Sequence, residues 1–84
     1  MAQIIITLTD AKNSFMYDLE LPTDLEYEKL LDDIIQTIIS YNPDLAYQTM
    51  KSKLFVPKLM MKEMQNGQTL ESIGVFNGDY LVIS

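Results

Sequence analysis

Residues 22–41 read PTDLEYEKLLDDIIQTIISY, and the reading of this stretch decides the fold. Placed about 100° apart around an axis, Tyr27, Leu30, Leu31, Ile34, Ile35, Ile38 and Tyr41 fall within an arc of roughly 140°. Glu28, Lys29, Asp32, Asp33, Gln36 and Ser40 cover the opposite side. This is a one-sided helix, which must lay its apolar stripe on another layer. Thr23 is placed to cap its free amides, and Glu26, three residues on, completes a capping box. Asn42-Pro43 ends it. Ile39 lies outside the stripe. The loop after Pro43, where Leu45 and Tyr47 also need cover, is its simpler partner; a homodimer contact shared with Ile35 is the alternative.

The layer beneath the helix is a sheet. Upstream, Ile4, Ile6 and Leu8 alternate with Gln3, Ile5, Thr7 and Thr9, and Phe15, Tyr17, Leu19 and Leu21 alternate with Met16, Asp18 and Glu20. Two period-2 runs separated by the polar Asp10-Ala11-Lys12-Asn13 read as an antiparallel hairpin. Downstream, Asp44 to Gln48 reads as a further short helical turn. Met50 to Val56 reads as a strand, with Lys51, Lys53 and Phe55 on one face. Leu59-Met60-Met61 reads as a short edge strand after Pro57, with Leu59 and Met61 expected in the core. Asn66-Gly67 and Asn77-Gly78-Asp79 are turns. Thr69 is placed to cap one helical turn, and Tyr80 to Ile83 is the last strand. Strand, strand, helix, strand, short strand, turn, strand is an α+β order. A mixed sheet on one long helix, the β-grasp, is the simplest architecture that buries the stripe, as a single domain over residues 1–84.

Composition narrows the chemistry. The 84 residues contain no His, no Cys and no Arg, and carry 12 acidic side chains against 6 lysines, a formal charge of −6. Nucleophilic dyads built on His, zinc and haem sites, thiol redox pairs and guanidinium clamps are therefore outside this chain's means. No cofactor or metal is expected, and no enzymatic activity. No apolar run approaches the roughly 20 residues that span a bilayer, and Met1-Ala2-Gln3 lacks the start of a signal peptide. A cytoplasmic protein without membrane insertion is the expectation. Residues 10–44 hold nine acids against Lys12 and Lys29, whereas 51–62 hold Lys51, Lys53, Lys58 and Lys62 with no acid. The acidic balance argues against binding nucleic acid. The basic end is the better candidate for meeting an acidic partner.

Several segments also carry a family resemblance: Tyr17-Asp18-Leu19-Glu20-Leu21-Pro22 before the helix, Leu30-Leu31-x-x-Ile34 within it, and Leu70-x-x-Ile73-Gly74-Val75-x-Asn77-Gly78-Asp79-Tyr80-Leu81-Val82-Ile83 at the end. In this order the chain resembles ubiquitin-like proteins, and more narrowly the YukD/EsaB-type proteins associated with type VII secretion in Gram-positive bacteria. Residues 42–65 contribute nothing to the likeness. The resemblance implies sheet order 2-1-5-3-4 with the first and last strands parallel at the centre. It also implies a non-catalytic cytoplasmic accessory of a membrane-bound secretion machine, with a component of that machine as protein partner. Modifiers and sulfur carriers of this fold end in Gly-Gly, whereas this chain ends Leu81-Val82-Ile83-Ser84, so conjugation is disfavoured.

Two surfaces are candidates for function. On a grasp sheet, Lys51, Lys53 and Phe55 would share a face with Tyr80 and Val82, with Ile5 across the last strand. These six residues form the expected protein-binding patch, apolar with a lysine edge; scattered surface apolars are the plainer alternative. Glu28, Asp32 and Asp33 could hold a hard cation, but a solvated acidic face favouring the helix start accounts for them more simply. The same acidic face, residues 24–44, underlies a further alternative, a mimic occupying a nucleic-acid groove. Met60, Met61 and Met64 are an adaptable surface or gap fillers.

Overall fold

The computed structural model describes residues 2–12, 14–45 and 52–84. Strands β1 (Gln3–Asp10) and β2 (Met16–Pro22) form the hairpin the alternation predicts, in register from Gln3↔Pro22 to Thr9↔Met16. Helix α1 (Tyr27–Tyr41) crosses the sheet, followed by a 3-10 turn at Pro43–Leu45. Then come β3 (Leu54–Val56), a 3-10 turn at Pro57–Leu59, β4 (Lys62–Glu63) and β5 (Tyr80–Ile83). The sheet order is β2-β1-β5-β3-β4, with β1 and β5 parallel at its centre. Among the described residues no helix is long and apolar enough to cross a membrane.

The core lies between α1 and the inner face of the sheet. Tyr27, Leu30, Ile34 and Ile38 of the helix are buried against Ile6, Leu8, Leu19, Leu21, Leu54, Val56, Leu81 and Ile83. Each such aliphatic side chain contributes about 1.5–3 kcal/mol by leaving water. Leu31 and Ile35 pack at its margin, half-buried. Tyr41, placed in the stripe by the sequence, is instead 60% exposed, with its ring 5.2 Å from that of Tyr17. Ile39 is half-buried. Met50, Lys51 and the end of the expected turn over 44–48 lie outside the described residues.

Two local expectations are corrected. The capping box does not form, because α1 begins at Tyr27 and its cap residue, Glu26, makes no side-chain capping bond. Thr23 is buried and committed elsewhere: its N–H and hydroxyl both donate to the Ala2 carbonyl (3.0 and 3.3 Å), and its own carbonyl accepts the Glu71 N–H. The helix start is tied to a distant loop instead. Tyr27 N–H donates to the Gln68 carbonyl (2.8 Å), and Gly67 N–H donates to Glu28 Oε1 (3.0 Å).

The second correction concerns the edge strand, which is Lys62–Glu63 rather than 59–61. Val56 pairs with Lys62, so the chain must reverse between them. Pro57, with fixed φ and no N–H, starts the 3-10 turn. Met60 and Met61 complete the reversal in left-handed conformations, φ 61° and 60°. The tip therefore stands away from the core: Met60 is 94% exposed and Leu59 and Met61 are also exposed, while Met64 is the methionine buried in the core. The turn at Thr69 forms as expected and reciprocally, Ser72 N–H donating to Thr69 Oγ1 and Thr69 N–H to Ser72 Oγ.

Candidate functional site

Strand alternation sends Ile5, Thr7, Thr9, Phe55, Tyr80 and Val82 to the face of the sheet opposite the helix. The register then fixes their neighbours. Thr9 lies opposite Met16 on one side and Val82 on the other, Val82 lies opposite Phe55, and Phe55 lies opposite Glu63. One continuous row, Met16–Thr9–Val82–Phe55–Glu63, thus crosses all five strands. A second row, Asp18–Thr7–Tyr80, runs beside it, with Thr7 Oγ1 donating to Asp18 Oδ1 (2.8 Å). Glu20 and Ile5 follow as the next pair.

The predicted patch residues are mostly brought together, with unequal access. Ile5 and Tyr80 are about half exposed, at 48% and 51%, and Phe55 is half-buried. Val82 and Thr9 are buried and form the floor between longer neighbours. Met16, 61% exposed, continues the strip on the β2 side; its outward position was legible, its place in one row with Val82, across Thr9, was not. Lys53 Nζ pairs with Glu63 Oε1 at 3.2 Å, so the strip's edge carries a mixed pair rather than free positive charge. Lys51 lies outside the described residues.

Sequence reasoning missed a second group, around the Asn77-Gly78 turn. Gly78 takes φ 91°, and Asn77 reaches β1: its Oδ1 accepts the Ile5 N–H at 2.8 Å, and Gly78 N–H donates to the Ile5 carbonyl. Lys58, counted with the basic end, is occupied internally. Its ammonium donates to the Gly74 carbonyl (2.8 Å) and Asp79 Oδ2 (2.9 Å), and stands 4.6 Å over the Phe76 ring. The Lys58 ammonium and the Phe76 N–H, both donating to Asp79, hold its carboxyl below the ordinary range. The local clue was Asp79 three residues after Phe76, a spacing that lets a carboxylate accept the Phe76 amide across the turn.

On the acidic helix face Glu28 Oε1 accepts the Gly67 N–H, and among the described residues no three His, Cys, Asp or Glu side chains group to hold a metal. A cavity of about 110 Å³ lies between the β3–β4 reversal and the turn after Thr69, lined by Val56, Leu59, Lys62, Glu63, Met64, Gln68 and Ile73. It falls short of the roughly 300 Å³ at which cofactor and drug-sized sites begin.

No protein-family model matches the sequence, and no curated protein matches it. Solved structures do. The ubiquitin-like domain of the Mycobacterium tuberculosis type VII secretion system protein ECCD1 aligns over 99% of this chain and 98% of its own, with TM-score 0.76 and 21% identity. The fold is the ubiquitin-like β-grasp. The EccD5 ubiquitin-like domain from Mycobacterium xenopi aligns over 100% of this chain and 94% of its own, with TM-score 0.80 and 11% identity. A ubiquitin from Caldiarchaeum subterraneum aligns over 98% and 91%, with TM-score 0.67 and 19% identity. At these identities the likeness carries the β-grasp itself, its five-stranded sheet and single long helix.

Proposed function

We propose that this ubiquitin-like chain is a non-catalytic protein-interaction module that docks without covalent linkage through the outer face of its sheet. The observation that carries the reading is the row Met16–Thr9–Val82–Phe55, with Ile5 and Tyr80 beside it. It is an apolar strip on the face that the helix leaves uncovered, with Met16, Ile5 and Tyr80 each about half exposed or more. Large apolar side chains gathered on one face are the anatomy of a protein contact. The partner we assign is a membrane-associated component of a type VII secretion apparatus, with the chain acting from the cytoplasm as an accessory of the YukD/EsaB type in a Gram-positive bacterium. Support comes from the sequence segments before, within and after the helix, and from the likeness in fold to ubiquitin-like domains of type VII secretion proteins.

Affinity capture from detergent-solubilised cells tests this, comparing the wild type with Ile5→Lys plus Tyr80→Lys, two exposed positions whose exchange leaves the core intact. Capture of a secretion component by the wild type, lost in the variant at unchanged thermal midpoint, is the expected result. Capture that survives both this variant and Phe55→Glu would overturn the assigned face. A bait carrying a covalent mass increment would overturn non-covalent docking.

A further inference from the structure

The chain holds two Asn-Gly pairs in matching local structure. Asn66 and Gly67 form the centre of a turn closed by Gln68 N–H on the Gln65 carbonyl (3.1 Å). Asn77 and Gly78 form the centre of one closed by Asp79 N–H on the Phe76 carbonyl (3.1 Å). Both glycines are left-handed, φ 84° and 91°, and neither asparagine has a positive φ, so each is a type II turn. All four residues are exposed. What differs is the tertiary surroundings. Asn77 is held at both of the groups that would react to close a ring: its Oδ1 accepts the Ile5 N–H (2.8 Å), and Gly78 N–H donates to the Ile5 carbonyl (2.8 Å), on the central strand β1. Among the described residues no hydrogen bond involves the Asn66 side chain. Gly67 N–H is held by Glu28 Oε1 alone (3.0 Å), an exposed side chain in the first turn of α1. Asn42 precedes Pro43, which has no N–H with which to react.

We propose that Asn66 is a site of spontaneous deamidation and that the fold protects Asn77 from the same reaction. The Gly67 nitrogen, which has no neighbouring Cβ to hinder it, gives its proton to solvent and bonds to Asn66 Cγ. The Cγ–Nδ2 bond breaks, and the side-chain nitrogen takes up a proton and leaves as ammonia, closing a five-membered imide. Water then opens one of the two imide C–N bonds. Cleavage at Cγ gives aspartate; cleavage at the backbone carbonyl carbon gives isoaspartate, whose chain runs on through the former side chain. Either product takes the formal charge from −6 to −7. Glu28 is a restraint on the reaction, since its carboxylate keeps the proton on the Gly67 nitrogen and opposes the anion that nitrogen becomes. An exposed side chain swings away within about nanoseconds, however, whereas the Ile5 carbonyl is released only when the sheet opens locally. The consequence falls on the helix start. The new carboxylate adjoins the nitrogen that Glu28 holds, and isoaspartate lengthens the turn that presents the Gln68 carbonyl to Tyr27 N–H. Both changes loosen the first turn of α1 and leave the strip around Phe55 and Val82 untouched.

The test holds the full chain at mildly alkaline pH and follows the mass gain of deamidation at each asparagine by peptide mapping. In the folded chain Asn66 is expected to react at least about ten-fold faster than Asn77. In guanidinium, where the ties to Glu28 and Ile5 are gone, the two rates should converge to within about three-fold. Glu28→Ala should speed the reaction at Asn66 about five-fold and leave Asn77 at its wild-type rate. Glu28→Gln, which keeps an acceptor without the charge, should fall between, and carries this arm if the alanine variant fails to fold. Asn66→Asp, standing in for one product, should speed hydrogen exchange at the Tyr27 amide about five-fold while the Phe55 and Val82 amides exchange as in wild type. Equal rates at the two asparagines in the folded chain would overturn the proposal. So would a preference for Asn66 that persists in guanidinium, because flanking sequence rather than the fold would then set the order. An Asn66 rate unchanged in both Glu28 variants would overturn the restraint.

Discussion

The two sides of the central strand β5 are held by different means. On one side the β1–β2 hairpin runs in unbroken register from Gln3↔Pro22 to Thr9↔Met16, and its order comes from a repeating ladder. On the other, β3 and β4 share two pairs, Phe55↔Glu63 and Val56↔Lys62. Single interactions complete that side: Lys58 on Asp79 and Gly74, Lys53 on Glu63, and Thr69 with Ser72. A ladder spreads its stability over many equivalent bonds, whereas the second side depends on particular side chains, so substitutions should separate the two.

The largest effects are expected where both sides meet the core. Ile6→Ala on β1 should cost about 2–5 kcal/mol, and Met64→Ala beyond β4 should fall in the same range despite its short flanking strands. Met61→Ala, at the exposed tip, should change stability by less than about 0.5 kcal/mol. Chemical denaturation of the three variants measures this, and equal effects at Met61 and Met64 would break the distinction.

A smaller effect is expected at the tie between β1 and the turn before β5. Asn77→Ala removes the acceptor of the Ile5 N–H and should cost about 1 kcal/mol. Lys58→Ala should act locally, accelerating hydrogen exchange at the Phe76 and Asp79 amides while exchange in β2 stays at the wild-type rate. A uniform acceleration would mean that the two sides are not held separately.

Acid should address the second side through Asp79. Its folded carboxyl binds a proton more weakly than the ordinary value of 3.8, so its contribution is fully present above that value and is lost as pH falls through the lower folded one. Asp10 adds to the same acid limb: burial alone would raise its carboxyl, but hydrogen bonds from the Ser14 hydroxyl and N–H outweigh this and hold it low. Thermal midpoints measured from pH 6 to pH 2 should fall less steeply for Asp79→Asn than for wild type.

At the exposed tip one substitution should instead give a modest gain. Met60 holds a left-handed φ of 61° with its side chain almost wholly in solvent. Met60→Gly should stabilise by up to about 1 kcal/mol, because the relief of backbone strain exceeds the added freedom of the unfolded chain. Destabilisation on this exchange would show that the Met60 side chain has a packing role.

The same contrast explains what the sequence made legible. Long period-2 and helical patterns report on many residues at once, so β1, β2 and α1 are legible in the sequence, whereas the sheet order came from the family resemblance and not from periodicity. The outward positions of Ile5, Phe55, Tyr80 and Val82 followed from that alternation. The depth of Val82 did not, since burial on an outer face depends on which long side chains stand beside it. Thr23 and Glu26 have the spacing of a cap, yet Thr23 is taken by Ala2 and Glu71, partners 21 and 48 positions away that no local motif displays. The reversal at 57–61 was misread for a related reason. Leu59-Met60-Met61 has the composition of a strand, but the Val56↔Lys62 pairing leaves these residues as the loop.

The parallel pairing of β1 with β5 has a mechanical consequence. Thr7 lies beside Tyr80 and Asp10 beside Ile83, so the two strands nearest the chain ends are neighbours that run the same way. A pull on the two ends draws β1 and β5 in opposite directions along their length. Their hydrogen bonds, spaced evenly along the ladder, then share the load in shear rather than opening one after another. Tension along the chain therefore meets its main resistance at the centre of the sheet, while the outer edge of β2 and the strip around Phe55 carry none of it directly.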